Sequence, residues 1–285
     1  MTVGRGAGPP QGFSTGPTVS LTSMLARVPI WIDPPAWPAH GRLWSHVISD
    51  TSYAELHEVA ARAGIPPRSF EGDHYDIPEE RHPDAVLAGA MPTTQSDLAR
   101  RLRDSGLRFR KRRGERPLGR YPQGLPAVRG PHVLDVVASP LEPPTSAGAA
   151  VVLVTDGVHL LLVRNVSRPG WAPPGGKREL GESVRGSAVR EIFEETGLRL
   201  DPDTLRPVGY ERITIPAGHE VHPWDAGDNH IAVFSASIPL LRPPVAPRAD
   251  DVTEARWATP AEARGLSGHQ HWWLLVDHFL VGQGL

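Results

Sequence analysis

Between residues 28 and 113, short apolar runs alternate with helical patterns, which predicts a small α/β unit. Thr51 or Ser52 is positioned to cap a helix, with Glu55 three residues after Ser52 as a capping box requires, and Gly64 ends it. A second helix is predicted over 96–105. The apolar faces of the two helices are Leu56, Val59 and Ala60, and Leu98, Ala99 and Leu102. The short strands predicted in this unit are 28–32 and 107–109.

After residue 147 the pattern changes to β-branched runs. Two of them, 149–155 and 158–163, flank Asp156 and Gly157, a strong signal for a two-residue hairpin. The further predicted elements are strands at 208–215 and 230–238 and a closing helix at 269–281. We therefore expect a second domain over residues 147–285.

The segment 114–146 is rich in proline and glycine and shows no sustained period apart from a possible strand at 132–137, so we interpret it as a linker. The first 22 residues carry one charge, that of Arg5, and lack the continuous apolar region of a secretory signal. We expect residues 1–23 to be a disordered tail or the result of a start assigned too early, with Met24 as the true first residue. The small unit then spans 24–113.

The composition narrows the possible classes. The chain has 285 residues, 39% of them hydrophobic, which is enough apolar surface for two cores. A formal charge of -2 gives no sign of a nucleic-acid partner. With no cysteine, any metal must be held by oxygen or histidine ligands. The strongly apolar run 147–154 is far shorter than a membrane span of about 18–20 residues, so we expect a cytoplasmic protein without a membrane partner.

Polar chemistry is concentrated in residues 175–198. Gly175 and Gly176 allow the backbone to approach another group closely, and a helix is predicted to begin near Ser183. The inward face of this helix is formed by Val184, Ala188 and Ile192.

Three carboxylates of this helix point the same way. At 100° per residue, Glu191, Glu194 and Glu195 fall within an arc of about 100°. Like charges at this spacing repel, and only Arg190 is positioned to pair with Glu194 four residues on. Glu182, just before the helix, can add a fourth carboxylate. Such oxygen ligands suit Mg²⁺ or Mn²⁺ bridging to a phosphate, whereas the simpler interpretation is an acidic helix face in solvent.

The spacing resembles the Nudix box. Its nine specified positions are occupied by Gly176, Glu182, Arg190, Glu191, Ile192, Glu194, Glu195, Gly197 and Leu198. The resemblance covers about residues 147–282 and implies a Nudix α/β/α sandwich with a mixed sheet. It also implies hydrolysis of a small-molecule nucleotide derivative, a nucleoside diphosphate linked to another group. Nucleoside triphosphates, sugar nucleotides and ADP-ribose all stay open as substrates.

The resemblance also implies roles for individual residues. Glu194 and Glu195 are the main metal ligands, and Arg190 orients the carboxylates through an ion pair. The implied metal ligands are Glu182, Glu191, Glu194, Glu195 and the carbonyl of Gly175. The implied catalytic residues are Arg190, Glu191, Glu194 and Glu195. The expected ion is Mg²⁺, with Mn²⁺ as the alternative, and it lowers the pKa of a bound water.

The resemblance leaves the catalytic base open. In some relatives the base is the first glutamate of the helix, which is Glu191 here, and in others it is a carboxylate from a later loop. The later carboxylates are Glu220, Asp225, Asp228 and Glu254. Three of these carboxylates, all but Glu254, lie in the polar stretch 218–230, which also contains His219, His222 and Trp224. We expect His222 and Trp224 to bind substrate together with the glycine pair, Gly175 and Gly176.

The amino-terminal unit contains the phrase Trp-Pro-Ala-His-Gly-Arg at residues 37–42. Over residues 27–113 it resembles a bacterial domain family of unknown function recognised by that phrase. Residues compatible with a metal or a phosphate are His40, Arg42, His46, Asp50, Asp73, His74 and Asp76. Turn formers and surface groups are the alternative interpretation of these residues. The basic run at 108–116 is interpreted as a solvated domain edge rather than a nucleic-acid site.

Two functions compete. The first is a metal-dependent Nudix hydrolase fused to a small α/β domain, with a homodimer open as its oligomeric state. The second is a Nudix-fold sensor that binds a nucleotide derivative without turnover. The complete set of carboxylates favours the hydrolase, because a binding module has no need of Glu191, Glu194 and Glu195 together.

Overall fold

The fold is taken from a computed structural model, which describes residues 30–166 and 168–284. The predicted tail at 1–23 and the alternative start at Met24 lie outside the described residues. Among the helices in the described ranges, none has both the length and the apolar character needed to cross a membrane.

A five-stranded sheet forms the amino-terminal unit. Its strands are β1 (Ile30–Ile32), β2 (Trp37–Ala39), β3 (Arg42–Ser49), β4 (Tyr75–Pro78) and β5 (Ala90–Pro92). The long strand β3 pairs antiparallel with β1, β2 and β4, while β1 pairs parallel with β5. Ile32, Val47 and Ile77 are fully buried, so one face of this sheet carries its own core.

Three helices pack on this sheet: α1 (Tyr53–Arg62), α2 (His82–Leu87) and α3 (Gln95–Asp104). The Ser52 hydroxyl accepts the backbone N–H of Glu55, which fixes the first turn of α1 as predicted. Thr94 caps α3 by accepting the N–H of Asp97, so this helix begins one residue earlier than the sequence predicts. The amino-terminal unit is therefore the small α/β unit expected from its pattern.

A nine-stranded sheet forms the rest of the chain. Its strands are β6 (Arg116–Pro122), β7 (Val133–Ala138), β8 (Ala149–Thr155), β9 (Leu160–Asn165), β10 (Arg168–Ala172), β11 (Gly175–Lys177), β12 (Arg206–Ile215), β13 (Gly227–Ser237) and β14 (Val252–Ala258). The strand order is β10-β9-β8-β13-β12-β7-β6, with β11 added to β8 and β14 added to β9. The sheet is mixed, because β8 and β13 run parallel and the other pairs run antiparallel.

Helices cover both faces of the larger sheet: α4 (Val184–Thr196), α5 (Pro260–Ser267) and α6 (Trp273–Gln283). On one face, Ala188 and Ile192 of α4 join Phe234 in a fully buried core. On the other face, Leu275 and Val276 of α6 pack in a second core with the alternate residues of the strands. This arrangement is the predicted α/β/α sandwich. The closing helix predicted at 269–281 begins four residues later, as α6 at Trp273, and α5 is a separate helix before it.

The turn between β8 and β9 is longer than the two-residue hairpin that the sequence predicts. Thr155 pairs with Leu160, so the turn spans 156–159. The Asp156 carboxylate accepts the N–H groups of Val158 and His159 at 2.9 and 2.7 Å. The side chain of Asp156 thus organises a wider turn, and β9 starts two residues later than expected.

The segment 114–146, predicted as a linker, is part of the larger sheet. It contributes β6 and β7, and only the strand predicted at 132–137 was visible in the pattern. Among the described strands, β6 pairs with β7 alone and so lies at an edge of the sheet. A proline has no N–H to donate to a neighbouring strand, so Pro117 and Pro122 are tolerated at this edge. Proline density therefore marks an edge strand here, not a flexible connection.

The strand predicted at 107–109 does not form. Instead, side chains satisfy its backbone: the N–H of Phe109 donates to Asp73 at 2.7 Å, and the carbonyl of Leu107 accepts from Tyr53 and Arg120. Side chains thus take the place of a neighbouring strand for most of the backbone groups of this segment.

A buried ion cluster joins this segment to the larger sheet. Arg212 on β12 contacts Asp135 on β7 through Nε at 3.0 Å and Nη2 at 2.5 Å. Arg120 on β6 places Nε at 3.3 Å from the other oxygen of Asp135. The third arm of Arg212 donates to the carbonyl of Arg110 at 2.7 Å. Three adjacent strands and the 107–110 segment therefore depend on one carboxylate.

We expect Asp135→Ala to lower the free energy of unfolding by about 3–5 kcal/mol, because it leaves two largely buried guanidinium groups without their anion. Urea unfolding followed by circular dichroism measures this change. The control is Asp104→Asn, which removes an exposed pair with Arg103 and should change stability by under about 1 kcal/mol. Equal small effects in both variants would contradict the proposed dependence on Asp135.

Candidate active site

The rotation of α4 sets the direction of its glutamates. The Ser183 hydroxyl accepts the N–H of Gly186 at 2.9 Å and starts the helix where the sequence predicts. Burial of Ala188 and Ile192 turns one face of α4 onto the sheet. Gly197, with a φ of 76°, ends the helix in the left-handed conformation.

Arg190 lies at the centre of the acidic cluster. Its Nε donates to Glu182 at 3.0 Å, and its Nη1 donates to Glu191 and to Glu194, both at 2.9 Å. Its Nη2 donates to the carbonyl of Lys177 at 2.8 Å. One guanidinium therefore gathers three carboxylates and attaches them to the end of β11.

These ion pairs shift the protonation equilibria of both partners. Hydrogen bonding to Arg190 lowers the pKa of Glu182. The same bond to Glu182, helped by Glu191, raises the pKa of Arg190 above its ordinary range. Around neutral pH the Arg190–Glu182 pair is therefore fully charged, so anionic oxygens are held in place by a permanent cation.

Glu195 lies on the buried side of the same cluster. Its side chain is largely covered, with the residue 3% exposed, and its Oε2 accepts the N–H of Gly175 at 2.7 Å. Gly175 itself lies against β8 so closely that a Cβ would be 2.3 Å from the carbonyl oxygen of Ala150. Only glycine fits this close approach, and the approach brings the β11 backbone within reach of Glu195.

The second glycine makes room for Glu191. A Cβ at Gly176 would lie 2.5 Å from both the carboxyl carbon and Oε1 of Glu191. The Nudix-box glycine at this position therefore has a local steric reason: it leaves the space that the carboxylate occupies.

The structure brings all the predicted metal ligands to the junction of β11 and α4. Glu182, Glu191 and Glu194 share Arg190, and Glu195 is joined to Gly175. Every donor in this set is oxygen, the ligand type that Mg²⁺ and Mn²⁺ prefer, so the residues fit such an ion. Their roles as metal ligands stay a prediction.

The predicted substrate-binding residues of the later loop lie between β12 and β13. Trp224 is half-buried against the core on the α6 side and pairs through its backbone with Val221. His222, between them, is exposed. The half-buried aromatic ring and the exposed imidazole are two residues apart in the chain, and their contact with substrate stays a prediction.

The later carboxylates predicted as alternative bases are Glu220, Asp225, Asp228 and Glu254. Asp228 accepts hydrogen bonds from Arg110 at 2.8 Å and Thr214 at 2.7 Å, and Glu254 lies 3.5 Å from Arg164. These contacts engage both carboxylates with partners outside the acidic cluster. Glu191, in contrast, lies within the cluster, which favours it among the candidate bases.

Glu211 is a buried carboxylate that the sequence analysis missed. It lies in the middle of β12, with Ile231 and Val136 opposite it on the neighbouring strands. Burial raises the pKa of Glu211 to about 7. The signal in the sequence is the charged pair Glu211-Arg212 inside an otherwise apolar strand.

In the amino-terminal unit, three of the residues singled out from the sequence come together. Single ligand atoms of His46, His74 and Asp76 lie within 4.8 Å of one another. Burial lowers the pKa of His74, but the hydrogen bond to Asp73 and the nearby charge of Asp76 outweigh burial and raise this pKa to about 9. Three carboxylates, those of Asp33, Asp73 and Asp76, contact the two imidazoles.

The remaining polar residues singled out there have local partners. Asp50 accepts a hydrogen bond from the Trp31 indole at 2.8 Å, and Arg42 pairs with the exposed Glu80. His40 lines a surface cavity next to His46.

The basic run is more than the solvated edge that the sequence predicts. Arg110 pairs with Asp228 of β13 at 2.8 Å, and Lys111 pairs with Glu71 at 2.9 Å. Arg112 pairs with Glu115 at 2.7 Å. The run is ion-paired to residues of both units, Glu71 in one and Asp228 in the other, so it belongs to their junction.

A glycine loop, a capped acidic helix and a mixed sheet between helices together define a Nudix domain. Residues 144–275 match the family described as "NUDIX domain", and residues 30–105 match "Protein of unknown function (DUF4031)". The chain therefore carries a NUDIX domain behind a DUF4031 domain, which confirms the two-family organisation expected from the sequence.

Several curated proteins are similar to part of the chain. The m7GpppN-mRNA hydrolase NUDT17 of Danio rerio is 44% identical over 63 residues, covering 20% of this chain and 21% of that protein. A putative 8-oxo-dGTP diphosphatase of Bacillus subtilis (strain 168) is 46% identical over 50 residues, covering 18% of this chain and 34% of that protein. The uncharacterized Nudix hydrolase YvcI of the same organism is 42% identical over 73 residues, covering 26% of this chain and 45% of that protein. The chain thus spans less than half the length of these relatives.

Solved structures match parts of the chain at low identity and low TM-score. A NUDIX hydrolase from Nitrosomonas europaea is 20% identical, with a TM-score of 0.37, and the match covers 47% of this chain and 88% of that one.

We expect Gly176→Ala to weaken Mn²⁺ binding by about 10-fold or more, because the added methyl group displaces the Glu191 carboxylate. The fold should change little, since the obstructing atoms are the flexible end of a side chain. Isothermal titration with Mn²⁺ measures the affinity. Gly148→Ala is the matched control, because a Cβ there meets nothing within 4 Å. Equal affinities in the two variants would contradict this role of Gly176.

We expect Glu211→Gln to abolish a pH-dependent loss of stability. Because the folded pKa of about 7 lies above the ordinary 4.5, Glu211 favours folding below about pH 4.5, and this contribution is lost as pH rises through 7. Relative to the variant, the wild type should lose up to about 3 kcal/mol between pH 5 and pH 8. Urea unfolding at several pH values measures the difference. Glu220→Gln, at an exposed site, serves as control, and a flat difference for Glu211→Gln would show that the carboxylate is not buried.

Proposed function

We propose that the protein is a metal-dependent hydrolase that cleaves the diphosphate linkage of a nucleoside diphosphate derivative. The observation that carries this proposal is the convergence of Glu182, Glu191 and Glu194 on Arg190, with Glu195 held against Gly175 at the same junction. A solvated acidic helix needs neither a shared guanidinium nor a buried carboxylate bound to a neighbouring strand.

The ion in this proposal is Mg²⁺, with Mn²⁺ as the alternative. The residues that would hold it are Glu182, Glu191, Glu194, Glu195 and the carbonyl of Gly175. A divalent ion bound there supplies charge neutralisation for the diphosphate and a lowered pKa for a coordinated water.

The residues of the chain supply orientation and proton transfer. Arg190 fixes three carboxylates from one side, so little conformational entropy is left for them to lose when ligand binds. Glu195 keeps the β11 backbone at the helix through the N–H of Gly175. Glu191, seated against Gly176 and paired with Arg190, is the proposed base that accepts a proton from the attacking water.

A nucleotide is the proposed substrate class. The names of two relatives, m7GpppN-mRNA hydrolase and putative 8-oxo-dGTP diphosphatase, both specify a nucleotide with linked phosphates. On this chain, Trp224 offers an aromatic face and His222 a polar contact for the nucleoside, while Gly175 and Gly176 allow the backbone to approach the diphosphate. Nucleoside triphosphates, sugar nucleotides and ADP-ribose make up the panel to be tested.

We expect the wild type with Mg²⁺ to release phosphate-containing products from at least one member of that panel. Glu194→Gln and Glu195→Gln should each lower kcat/KM by at least about 100-fold, because each removes an anionic oxygen from the site while keeping its shape. Product release is followed by ion-exchange chromatography. The control is Glu179→Gln, which removes an exposed carboxylate in the same loop and should leave turnover unchanged.

The outcome that would contradict the proposal is tight binding of a panel nucleotide by the wild type with no turnover in Mg²⁺ or Mn²⁺. That result would favour a nucleotide-binding sensor. Equal losses in Glu179→Gln and Glu195→Gln would likewise remove the special role of the cluster.

A further inference from the structure

We propose that His46, His74 and Asp76 form a second metal site, in the DUF4031 domain, that binds a divalent transition-metal ion such as Zn²⁺. This site is separate from the oxygen cluster of the NUDIX domain. Its donor set differs, because two imidazoles and one carboxylate prefer Zn²⁺ and its neighbours over Mg²⁺.

Sheet register brings the three ligands together. His46 on β3 and Asp76 on β4 are direct cross-strand partners in an antiparallel pair. His74 lies in the bend just before β4, two residues from Asp76, and its Nε2 reaches Asp76 Oδ1 at 3.1 Å. The three side chains therefore converge through backbone pairing, without any long flexible loop between them.

The distances match a single coordination shell. The Asp76 Oδ1 lies 3.1 Å from His74 Nε2 and 3.6 Å from His46 Nε2. Ligand atoms placed tetrahedrally about 2.0–2.1 Å from one zinc ion are about 3.3 Å apart. The two separations from Asp76 lie on either side of that value, and all three ligand atoms lie within 4.8 Å of one another, so side-chain adjustments alone can bring them onto one ion.

Each imidazole is oriented by a second carboxylate. His46 Nδ1 lies 3.0 Å from Asp33, and His74 Nδ1 is hydrogen-bonded to Asp73. Asp33 and Asp73 are 1% and 3% exposed. Metal-bound histidines in proteins have the same arrangement: a carboxylate on one ring nitrogen fixes the ring and raises the basicity of the other.

The orienting carboxylates are themselves held by the backbone. The other oxygen of Asp33 accepts the N–H of His46 at 2.5 Å, and the other oxygen of Asp73 accepts the N–H of Phe109 at 2.7 Å. Neither carboxylate can rotate away without losing a second hydrogen bond. This rigidity is what a preformed metal site requires.

The oxygen that faces both imidazoles lacks a proper donor. Asp76 Oδ1 is buried, and within the described residues it accepts no well-aligned hydrogen bond, although two ring nitrogens lie near it. A buried carboxylate oxygen in this condition is costly unless something binds it. A cation between the three side chains would satisfy this oxygen and both imidazoles at once.

One side of the cluster is open to a cavity of about 330 Å³, which His46 and Asp76 line together with Trp37, Trp44 and Glu71. Three protein ligands leave at least one coordination position, and the cavity gives that position access to water or a small ligand. The geometry is therefore that of a site that binds or reacts with a ligand, because a purely structural zinc is usually closed by four side chains.

The test is isothermal titration of the full-length, chelator-treated protein with Zn²⁺ in excess Mg²⁺, which occupies the oxygen-only cluster. We expect one Zn²⁺ per wild-type chain. Asp76→Asn and His74→Gln should each weaken binding by at least 10-fold. His82→Gln, in the same domain but outside the cluster, is the control and should bind as the wild type does.

Two further measurements keep the outcome clear if a variant folds poorly. X-ray absorption of the zinc-loaded wild type should show two imidazole ligands per zinc. A Glu194→Gln/Glu195→Gln double variant should keep full zinc uptake whatever its turnover, which separates this site from the proposed hydrolase. The proposal is overturned if the wild type takes up no zinc, if the zinc has no imidazole ligand, or if uptake is lost only in the double variant.

Discussion

The NUDIX half of the molecule depends on one ion-pair network, that of Arg190 with three glutamates. Carboxylates gathered this closely repel one another, and a guanidinium is suited to hold them because its planar fork offers several donors at fixed angles. The network also binds the carbonyl of Lys177, so electrostatics and strand position are set together. The glycine pair lets β11 approach α4, and the cap and buried face of α4 set its start and rotation. Together they place the glutamates where Arg190 can reach them.

Elements with local signals were predictable from the sequence. The caps of α1 and α4 and the four-residue spacing of their apolar faces depend on residues close in the chain, and the structure has these helices where they were expected. The edge strand β6 was not predictable because its sequence, with two prolines and a glycine, lacks the pattern of a strand. The irregular 107–109 segment was not predictable because its partners Asp73, Tyr53 and Arg120 are not its neighbours in the chain. Proline content alone cannot distinguish an edge strand from a linker.

The candidate sites divide in the same way. The acidic cluster is encoded within 24 consecutive residues, 175–198, so its spacing alone predicts which carboxylates meet. The histidine cluster was recorded only as a group of suitable residue types, because the meeting of His46 and Asp76 depends on the β3–β4 register, which no local pattern specifies. Glu211 was missed because burial of a charged residue follows from tertiary packing, which overrides its preference for solvent.

Asp73 has a consequence for where this protein can be divided. One of its oxygens orients His74, and the other holds the peptide of Phe109, whose ring packs with Val137 and Tyr210 of the large sheet. The DUF4031 match stops at residue 105, short of this anchor. A fragment cut there would lose both the peptide and the surface on which it rests, so the smallest autonomous folding unit is larger than the homologous segment.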